Sequence, residues 1–239
     1  MDSCRPLSSR SLWLAGAFLV LALCANPAAA HDIGGADAAF VAAARGPDPI
    51  PFGYLGAKHM VTGYDHLLFL VGVIFFLFRL SQIALYVSLF SLGHSITLLA
   101  GVFFDLHVDP RLVDAVIGLS VAYKGFDNLG GFRTVFGVEP DPKAAVLFFG
   151  LIHGFGLATK LQALDLQPEG LLTNLVAFNI GVELGQFVAL IFILALITLW
   201  RRTRAFRATA VGANLLLILA GFVLAGEHLA GYFLDGAHR

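Results

Sequence analysis

Long runs of apolar residues dominate this sequence, and they restrict its possible folds more than any other feature. About six such runs lie at residues 58–78, 82–104, 111–129, 143–162, 170–200 and 208–232. Most have about 17–25 residues, the length with which an α-helix crosses roughly 30 Å of hydrocarbon. Only 13% of the residues are charged, against about 25% in ordinary soluble domains. The sequence therefore predicts an all-α membrane protein with a bundle of about six transmembrane helices.

The amino-terminal residues have the pattern of a cleavable secretory signal peptide. Arg5 and Arg10 precede a short apolar stretch, and small residues follow it up to Ala30. The alternative is an uncleaved first transmembrane helix. The organisation that we predict is a signal peptide over 1–30, a short extracytoplasmic segment over 31–55 and a six-helix transmembrane domain over 56–239.

Composition excludes several classes of function. Both cysteines, Cys4 and Cys24, lie in the predicted signal peptide, so the cleaved chain would have no disulfide and no thiolate metal site. The net charge is −1, which argues against a nucleic-acid partner. No phosphate-binding loop is visible, so an ATP-driven pump on a single chain is not expected.

The basic residues predict an orientation in the membrane. With the cleaved end outside, three loops should face the cytoplasm, and these loops contain most of the cations. They carry Arg79, Arg133, Lys143, Arg201, Arg202, Arg204 and Arg207. We therefore predict a multi-pass protein of the bacterial inner membrane, with both termini extracytoplasmic and Arg201–Arg207 as a topology determinant.

The first apolar run contains a group of metal-binding side chains. On a continuous helix, His59 and His66 would lie within roughly 20° of each other. Thr62 would share their stripe, and Asp65 would flank it. Two imidazoles and a carboxylate suit a borderline divalent ion such as nickel, cobalt, zinc or copper. The alternative is that Asp65 and His66 only form hydrogen bonds to neighbouring helices.

Two further histidines lie near the middle of other spans. The second span places Ser91 and His94 three residues apart, and the fourth places His153 between Gly150 and Gly154. Glycines allow close helix packing, which would bring a buried imidazole near other helices. Packing alone, with His153 bonded to a backbone carbonyl, is the alternative.

The fifth span contains Asn179, Glu183 and Gln186, spaced along one stripe of a helix. An ionisable group costs about 2.5–3.5 kcal/mol at a helix centre on insertion scales, so such a group is usually paired or functional. Glu183 is therefore a candidate cation ligand or proton relay. The alternative is a neutral carboxyl held by an interhelical hydrogen bond.

Three other residues are additional candidate ligands. Glu227 and His228 lie near the predicted outer end of the sixth span, where solvent access gives a simpler explanation for them. Cleavage after Ala30 would make His31 the amino terminus, where its α-amine and ring nitrogen could chelate copper or nickel. Sequencing of the mature amino terminus tests that hypothesis.

These residues resemble motifs of the HupE/UreJ family over about residues 50–232. The matching motifs are His59-x5-Asp65-His66, Ser91-x-x-His94-Ser95, Leu151-Ile152-His153-Gly154-Phe155-Gly156 and Phe178-Asn179-x-Gly181-x-Glu183-x-Gly185-Gln186. Met60 stands where better-known members have proline, so the chain resembles a divergent second branch. The resemblance implies a nickel or cobalt permease associated with hydrogenase or urease maturation systems.

Together, the residues and the resemblance predict a transporter rather than an enzyme. His59, Asp65 and His66 would form a first metal site, and His94, His153 and Glu183 a deeper one. Asn179, Gln186, Thr62 and Ser91 would support them or couple the transport. An intramembrane metalloenzyme with an open metal position, or an accessory protein that binds metal without moving it, are the alternatives.

Overall fold

The computed structural model describes residues 39–41, 43, 46–162 and 168–236, and this part of the chain is helical without strands. Its helices are α1 (Pro49–Thr62), α2 (Tyr64–Ile74), α3 (Leu80–Phe103), α4 (Pro110–Asn128), α5 (Gly131–Phe136), α6 (Pro142–Gln162), α7 (Leu171–Arg201) and α8 (Ala205–Gly236). The signal peptide and His31 lie outside the described residues, so they remain predictions. The all-α class is confirmed for the described part.

Four helices in the described ranges are long and apolar enough to cross a membrane: α3, α6, α7 and the part of α8 over Ala205–Leu234. The prediction of six spans is not confirmed, because the other two segments differ from simple apolar helices. Helix α4 carries Asp114, Lys124 and Asp127 within its length, and the first predicted span is divided. The membrane class itself follows from the four long helices.

The first predicted span, 58–78, is wrong as a single helix. The backbone is extended at Gly63 (φ −72°, ψ 103°), where α1 ends and α2 begins. With 14 and 11 residues at about 1.5 Å each, neither helix crosses roughly 30 Å alone. Helix α1 begins at Pro49 and buries Phe52 and Leu55, so regular packing starts earlier than the sequence predicts.

Three helix pairs form the frame of the molecule, and each joins helices that are distant in sequence: α1 with α7, α3 with α6, and α4 with α8. Glycines set the distance within each pair. A Cβ at Gly185 would lie 2.6 Å from the carbonyl oxygen of Ala57, and one at Gly93 2.6 Å from that of Leu147. Gly118 has the same role between α4 and α8. Backbones therefore touch where larger residues would separate the helices.

Helix α2 lies at the centre of this frame, in contact with α1, α3, α4, α7 and α8. Because it is short and buried, its last carbonyl groups need partners from other helices. Arg201 of α7 supplies them, donating from its guanidinium to three carbonyl oxygens at 2.6–2.9 Å. These carbonyls belong to Ile74, Phe75 and Leu77. Arg201, predicted only as a topology determinant, also caps α2.

Candidate functional site

Four histidines from four different helices meet where α2 begins. The ring centroid of His66 (α2) lies 4.9 Å from that of His153 (α6) and 5.1 Å from that of His59 (α1). Its distance to the centroid of His94 (α3) is 6.1 Å. The rings of His66, His94 and His153 are buried, and so is the Nε2 atom of His59. We call these four residues, with Asp65, the histidine cluster.

The break at Gly63 makes room for this cluster. A Cβ at Gly63 would lie 2.8 Å from Nδ1 of His66 and 3.2 Å from Oδ1 of Asp65. Any other residue would therefore press on this pair. The break also turns the chain so that His59 and His66 approach from two separate helices. Irregular backbone inside a helical membrane protein is tolerated where it is buried in protein or lines a cavity.

Hydrogen bonds fix the orientation of two of the imidazoles. Nδ1 of His66 lies 2.9 Å from Oδ1 of Asp65. Nδ1 of His153 donates to the carbonyl oxygen of Phe149 at 2.7 Å, because a carbonyl can only accept. In each ring the Nδ1–H is thus engaged. In His66 this leaves Nε2 with its lone pair available as an acceptor or ligand. Metal-binding histidines are commonly held by such a second hydrogen bond.

Several ring nitrogens of the cluster are buried without a hydrogen-bond partner among the described residues. They are Nε2 of His59, Nε2 of His66 and both nitrogens of His94. A buried polar group in this state costs about 1–3 kcal/mol, so such groups are rare in proteins. Within the described ranges, no three His, Cys, Asp or Glu side chains are yet arranged to hold a metal ion. The imidazoles of His59, His66 and His94 are thus neighbours with unused ligand atoms.

Aromatic side chains surround the buried cluster. Phe90 and Phe69 lie 5.0 and 5.4 Å from the ring of His153, and Phe178 lies 6.2 Å from that of His59, measured between centroids. A cavity of about 10 Å³ lies beside His66, roughly the space of one water molecule. In such an environment, electrostatic interactions with an ion are stronger than in water.

Two polar residues predicted to support the site, Ser91 and Gln186, lie at its edge, and a third, Asn179, is on the same helix as Gln186. Ser91 of α3 donates to Oε1 of Gln186 of α7 at 2.8 Å, and Gln186 also lines the small cavity beside His66. The amide nitrogen of Asn179 donates to the carbonyl oxygen of Leu175 at 3.2 Å. Oδ1 of Asn179 and Nε2 of Gln186 are buried without partners among the described residues.

Other predicted site residues are not brought into the histidine cluster. Glu183 is exposed and lines a groove between α3 and α7. Thr62 is exposed and donates to the carbonyl oxygen of Lys58 at 2.8 Å. Glu227 is exposed on α8. These side chains are therefore separate from the buried imidazoles.

The sequence reasoning missed a second buried polar cluster. Lys160 of α6 places its ammonium nitrogen 2.9 Å from each carboxylate oxygen of Asp114 of α4. Nδ1 of His228, on α8, lies 3.9 Å from Oδ2 of the same carboxylate. We call these three residues the ion-pair cluster. The charged residues inside the predicted spans could have indicated such a cluster. Which of them pair depends on contacts between helices, and the spacing of residues along the sequence does not reveal these contacts.

The fold and the site together define an integral membrane protein with a buried, multi-helix imidazole site. Comparison with protein families matches residues 36–235 to the model described as HupE / UreJ protein. The chain therefore belongs to the HupE/UreJ family, which is associated with nickel and cobalt transport or accessory roles. Comparisons with curated proteins and with solved structures gave no match.

Proposed function

We propose that this protein is a permease that moves a divalent transition metal, nickel or cobalt, inward through the histidine cluster. The observation that carries the proposal is the meeting of four imidazoles from four helices among buried aromatic side chains. Ring nitrogens of His59, His66 and His94 are buried there without partners. A metal ion would satisfy these nitrogens, since neutral imidazole is a good ligand for borderline divalent ions.

The donor set suits such an ion better than a hard cation. Imidazole nitrogen favours nickel, cobalt, copper and zinc, whereas magnesium and calcium prefer oxygen. Asp65 would contribute negative charge directly or through its contact with His66 at 2.9 Å. Copper and zinc fit the same ligands, so nickel or cobalt is favoured by the family and not by the donors alone.

Movement of the metal has a structural basis in the helix pairs. His59 belongs to the α1–α7 pair, whereas His94 and His153 belong to the α3–α6 pair. His66 lies between them on α2. A shift of one pair against the other would change the distances among the ligands while the glycine contacts within each pair stay intact. Such rocking of rigid units is a usual way to alternate access in membrane transporters.

The size of the site favours an ion over an organic substrate. The cavity beside His66 holds about 10 Å³, whereas sites for small molecules usually hold about 300–1,000 Å³. We therefore propose a transporter in preference to a metalloenzyme. Asn179, Gln186, Ser91 and Thr62 would support or couple transport. Glu227, His228 and, in the mature protein, His31 remain additional candidate ligands.

The proposed setting is the bacterial inner membrane, with both termini outside and the Arg79 and Arg201 ends inside. In this orientation the metal would reach the cluster from the extracytoplasmic side. The family association suggests that hydrogenase or urease maturation systems receive the metal. Glu183 would take part as a later carboxylate ligand or as a proton carrier.

Radioactive nickel and cobalt accumulation by cells that express the protein tests this function. His66→Ala removes the central imidazole, and His107→Ala is the matched control because its side chain is 67% exposed in a loop. We expect metal-selective uptake by the parent and the control, and its loss in His66→Ala at equal membrane levels.

The alternatives give different results in the same experiment. No uptake by the parent, with metal retained after purification, would identify an accessory binding protein or a metalloenzyme. Equal uptake by parent and His66→Ala would place the transport path away from the histidine cluster.

A further inference from the structure

A large groove separates α3 from α7 beside the histidine cluster. Its volume is about 590 Å³, and its polar lining consists of Ser88, Ser91, Ser95, Glu183 and Gln186. The three serines follow one stripe of α3, and the two other residues face them from α7. The groove could hold a cation together with hydrating water, unlike the cavity of about 10 Å³ beside His66.

The groove has a polar end and an apolar end. Its apolar lining includes Leu80 and Ile83 near the start of α3, and Leu190 and Leu194 in the second half of α7. These parts of both helices lead toward Arg79 and Arg201, which the proposed orientation places at the cytoplasmic surface. The groove thus extends from the level of the cluster toward the cytoplasm.

Glu183 indicates that water fills this groove. It lies well inside α7, between the exposed apolar residues Ile180, Leu184 and Phe187. The carboxyl is exposed and has no hydrogen bond or ion pair with any residue in the described ranges. Facing lipid, an ionised group at this depth costs about 2.5–3.5 kcal/mol on insertion scales. A hydrated groove would remove this penalty.

Gln186 is the polar part of the wall between the groove and the histidine cluster. Its side chain is 1% exposed and lines both the groove and the small cavity beside His66. Oε1 accepts the hydrogen bond from Ser91 at 2.8 Å, and Nε2 is without a partner among the described residues. Val87 of α3 also lines both spaces. Breaking the Ser91–Gln186 bond would open the polar part of the wall between them.

We propose that the groove between α3 and α7 is the aqueous release path for the divalent cation, and that the Ser91–Gln186 hydrogen bond closes it. The cation would leave the imidazoles past Gln186 and enter the groove beside the carboxylate of Glu183, at its polar end. It would then follow the groove toward the cytoplasm. This inference rests on the proposed transport function and orientation, and it assigns the inner gate and the route of release.

Cysteine accessibility tests the path, because the chain has only Cys4 and Cys24. In a background with both replaced by serine, Ser88→Cys and Ser95→Cys are nearly isosteric reporters in the groove. Ile96→Cys is the matched control, since Ile96 is exposed on α3 outside the groove lining. Inverted and right-side-out membrane vesicles are treated with a membrane-impermeant cationic thiol reagent.

We expect both serine-derived cysteines to react at least tenfold faster than Ile96→Cys in inverted vesicles, and nickel chloride to slow that reaction. Reaction as slow as the control from both sides would mean that the groove is closed by lipid or protein. Faster reaction in right-side-out vesicles would mean that the groove opens outward. Either of these two results would overturn the proposal.

The gate has its own reporter in Met60, which is 1% exposed and lines the small cavity but not the groove. Met60→Cys should be unreactive in inverted vesicles and become at least tenfold more reactive when Gln186→Ala is added. No increase would show that Gln186 does not close the path. These labelling results do not depend on uptake. If the groove is labelled but the cells show no uptake, the proposed transport function is rejected and the aqueous groove is not. If uptake depends on His66 but the groove cysteines are not labelled, the proposed release path is rejected and the transport function is not.

Discussion

The histidine cluster and the ion-pair cluster are both buried between helices, but they satisfy their polar groups in opposite ways. In the ion-pair cluster, Asp114 receives Lys160 at 2.9 Å on both carboxylate oxygens. In the histidine cluster, ring nitrogens of His59, His66 and His94 have no partner in the described chain. Mutual pairing is typical of groups that hold a fold together, whereas unused buried ligand atoms indicate a place for a ligand.

The largest expected effect breaks the ion-pair cluster. Lys160→Met leaves the buried carboxylate of Asp114 without its ammonium partner, which should lower the free energy of unfolding by about 3–5 kcal/mol. Adding Asp114→Asn removes the stranded charge and should restore most of that loss. Denaturant unfolding in lipid–detergent micelles measures both variants. A double variant as unstable as the sum of the single variants would show that the pair is not a structural unit.

Gly63→Ala should have the next largest effect, and it acts on the histidine cluster. The added Cβ would lie 2.8 Å from Nδ1 of His66, and overpacking of this kind costs about 1–3 kcal/mol. We expect lower nickel affinity together with a lower melting temperature. Gly226→Ala is the matched control, because a Cβ there meets nothing within 4 Å. If the two variants had the same nickel affinity and melting temperature, Gly63 would not be needed to make room for the histidine cluster.

His94→Leu separates stability from ligand binding. Neither nitrogen of His94 has a partner in the described ranges, so an apolar side chain of similar size should leave stability unchanged or raise it by about 1 kcal/mol. Nickel affinity, measured by isothermal titration calorimetry, should fall at least about tenfold. A stability loss like that of Lys160→Met would mean that this imidazole is structural.

Substitution of Asp141 should have the smallest effect on stability, and this surface residue is the reference for the two buried clusters. Hydrogen bonds from the backbone N–H groups of Ala144 and Lys143 lower the pKa of the Asp141 carboxyl. Its stabilising contribution is therefore present above the pKa of the unfolded chain, about 3.9. This contribution is lost as the pH falls through the lower pKa of the folded protein. Asp141→Asn should slightly lower the melting temperature at neutral pH, and the difference should disappear in acid. If Asp141→Asn lowered the melting temperature more than Lys160→Met, the surface carboxylate would matter more to stability than the buried ion pair, which contradicts the comparison.

The sequence predicted the residues of the histidine cluster but divided them between two sites, whereas His94 and His153 both lie beside His66. Predicting His59 and His66 as neighbours was right, although the reasoning assumed one continuous helix. The structure brings them together across the break at Gly63. A glycine in an apolar run does not by itself reveal whether a helix continues, because the central packing of α2 decides it. Likewise, His94 and His153 both come near His66 because α3 and α6 pair through their glycines.

Glu183 shows why a helical stripe is a weak guide to burial. Asn179, Glu183 and Gln186 are spaced for one face, but only Asn179 and Gln186 are buried. The packing face of α7 is set by Gly181 and Gly185, which touch the backbone of α1. The whole buried face of α7 is wider and is centred near Val182 and Ala189. At 100° per residue this centre lies roughly 50° from Gln186 but about 100° or more from Glu183. The spacing of the two glycines was visible in the sequence, but their partner helix was not.

The pairing of α1 with α7 has a consequence for synthesis at the ribosome. Roughly 110 residues separate the two helices, so at 5–20 residues per second α1 waits about 5–20 s for its partner. During that interval helix α1, which contains His59, lacks the helix against which it packs. The metal site should therefore be completed late, after most of the chain has been inserted. A nascent chain arrested before Leu171 is expected to be membrane-integrated but unable to retain nickel.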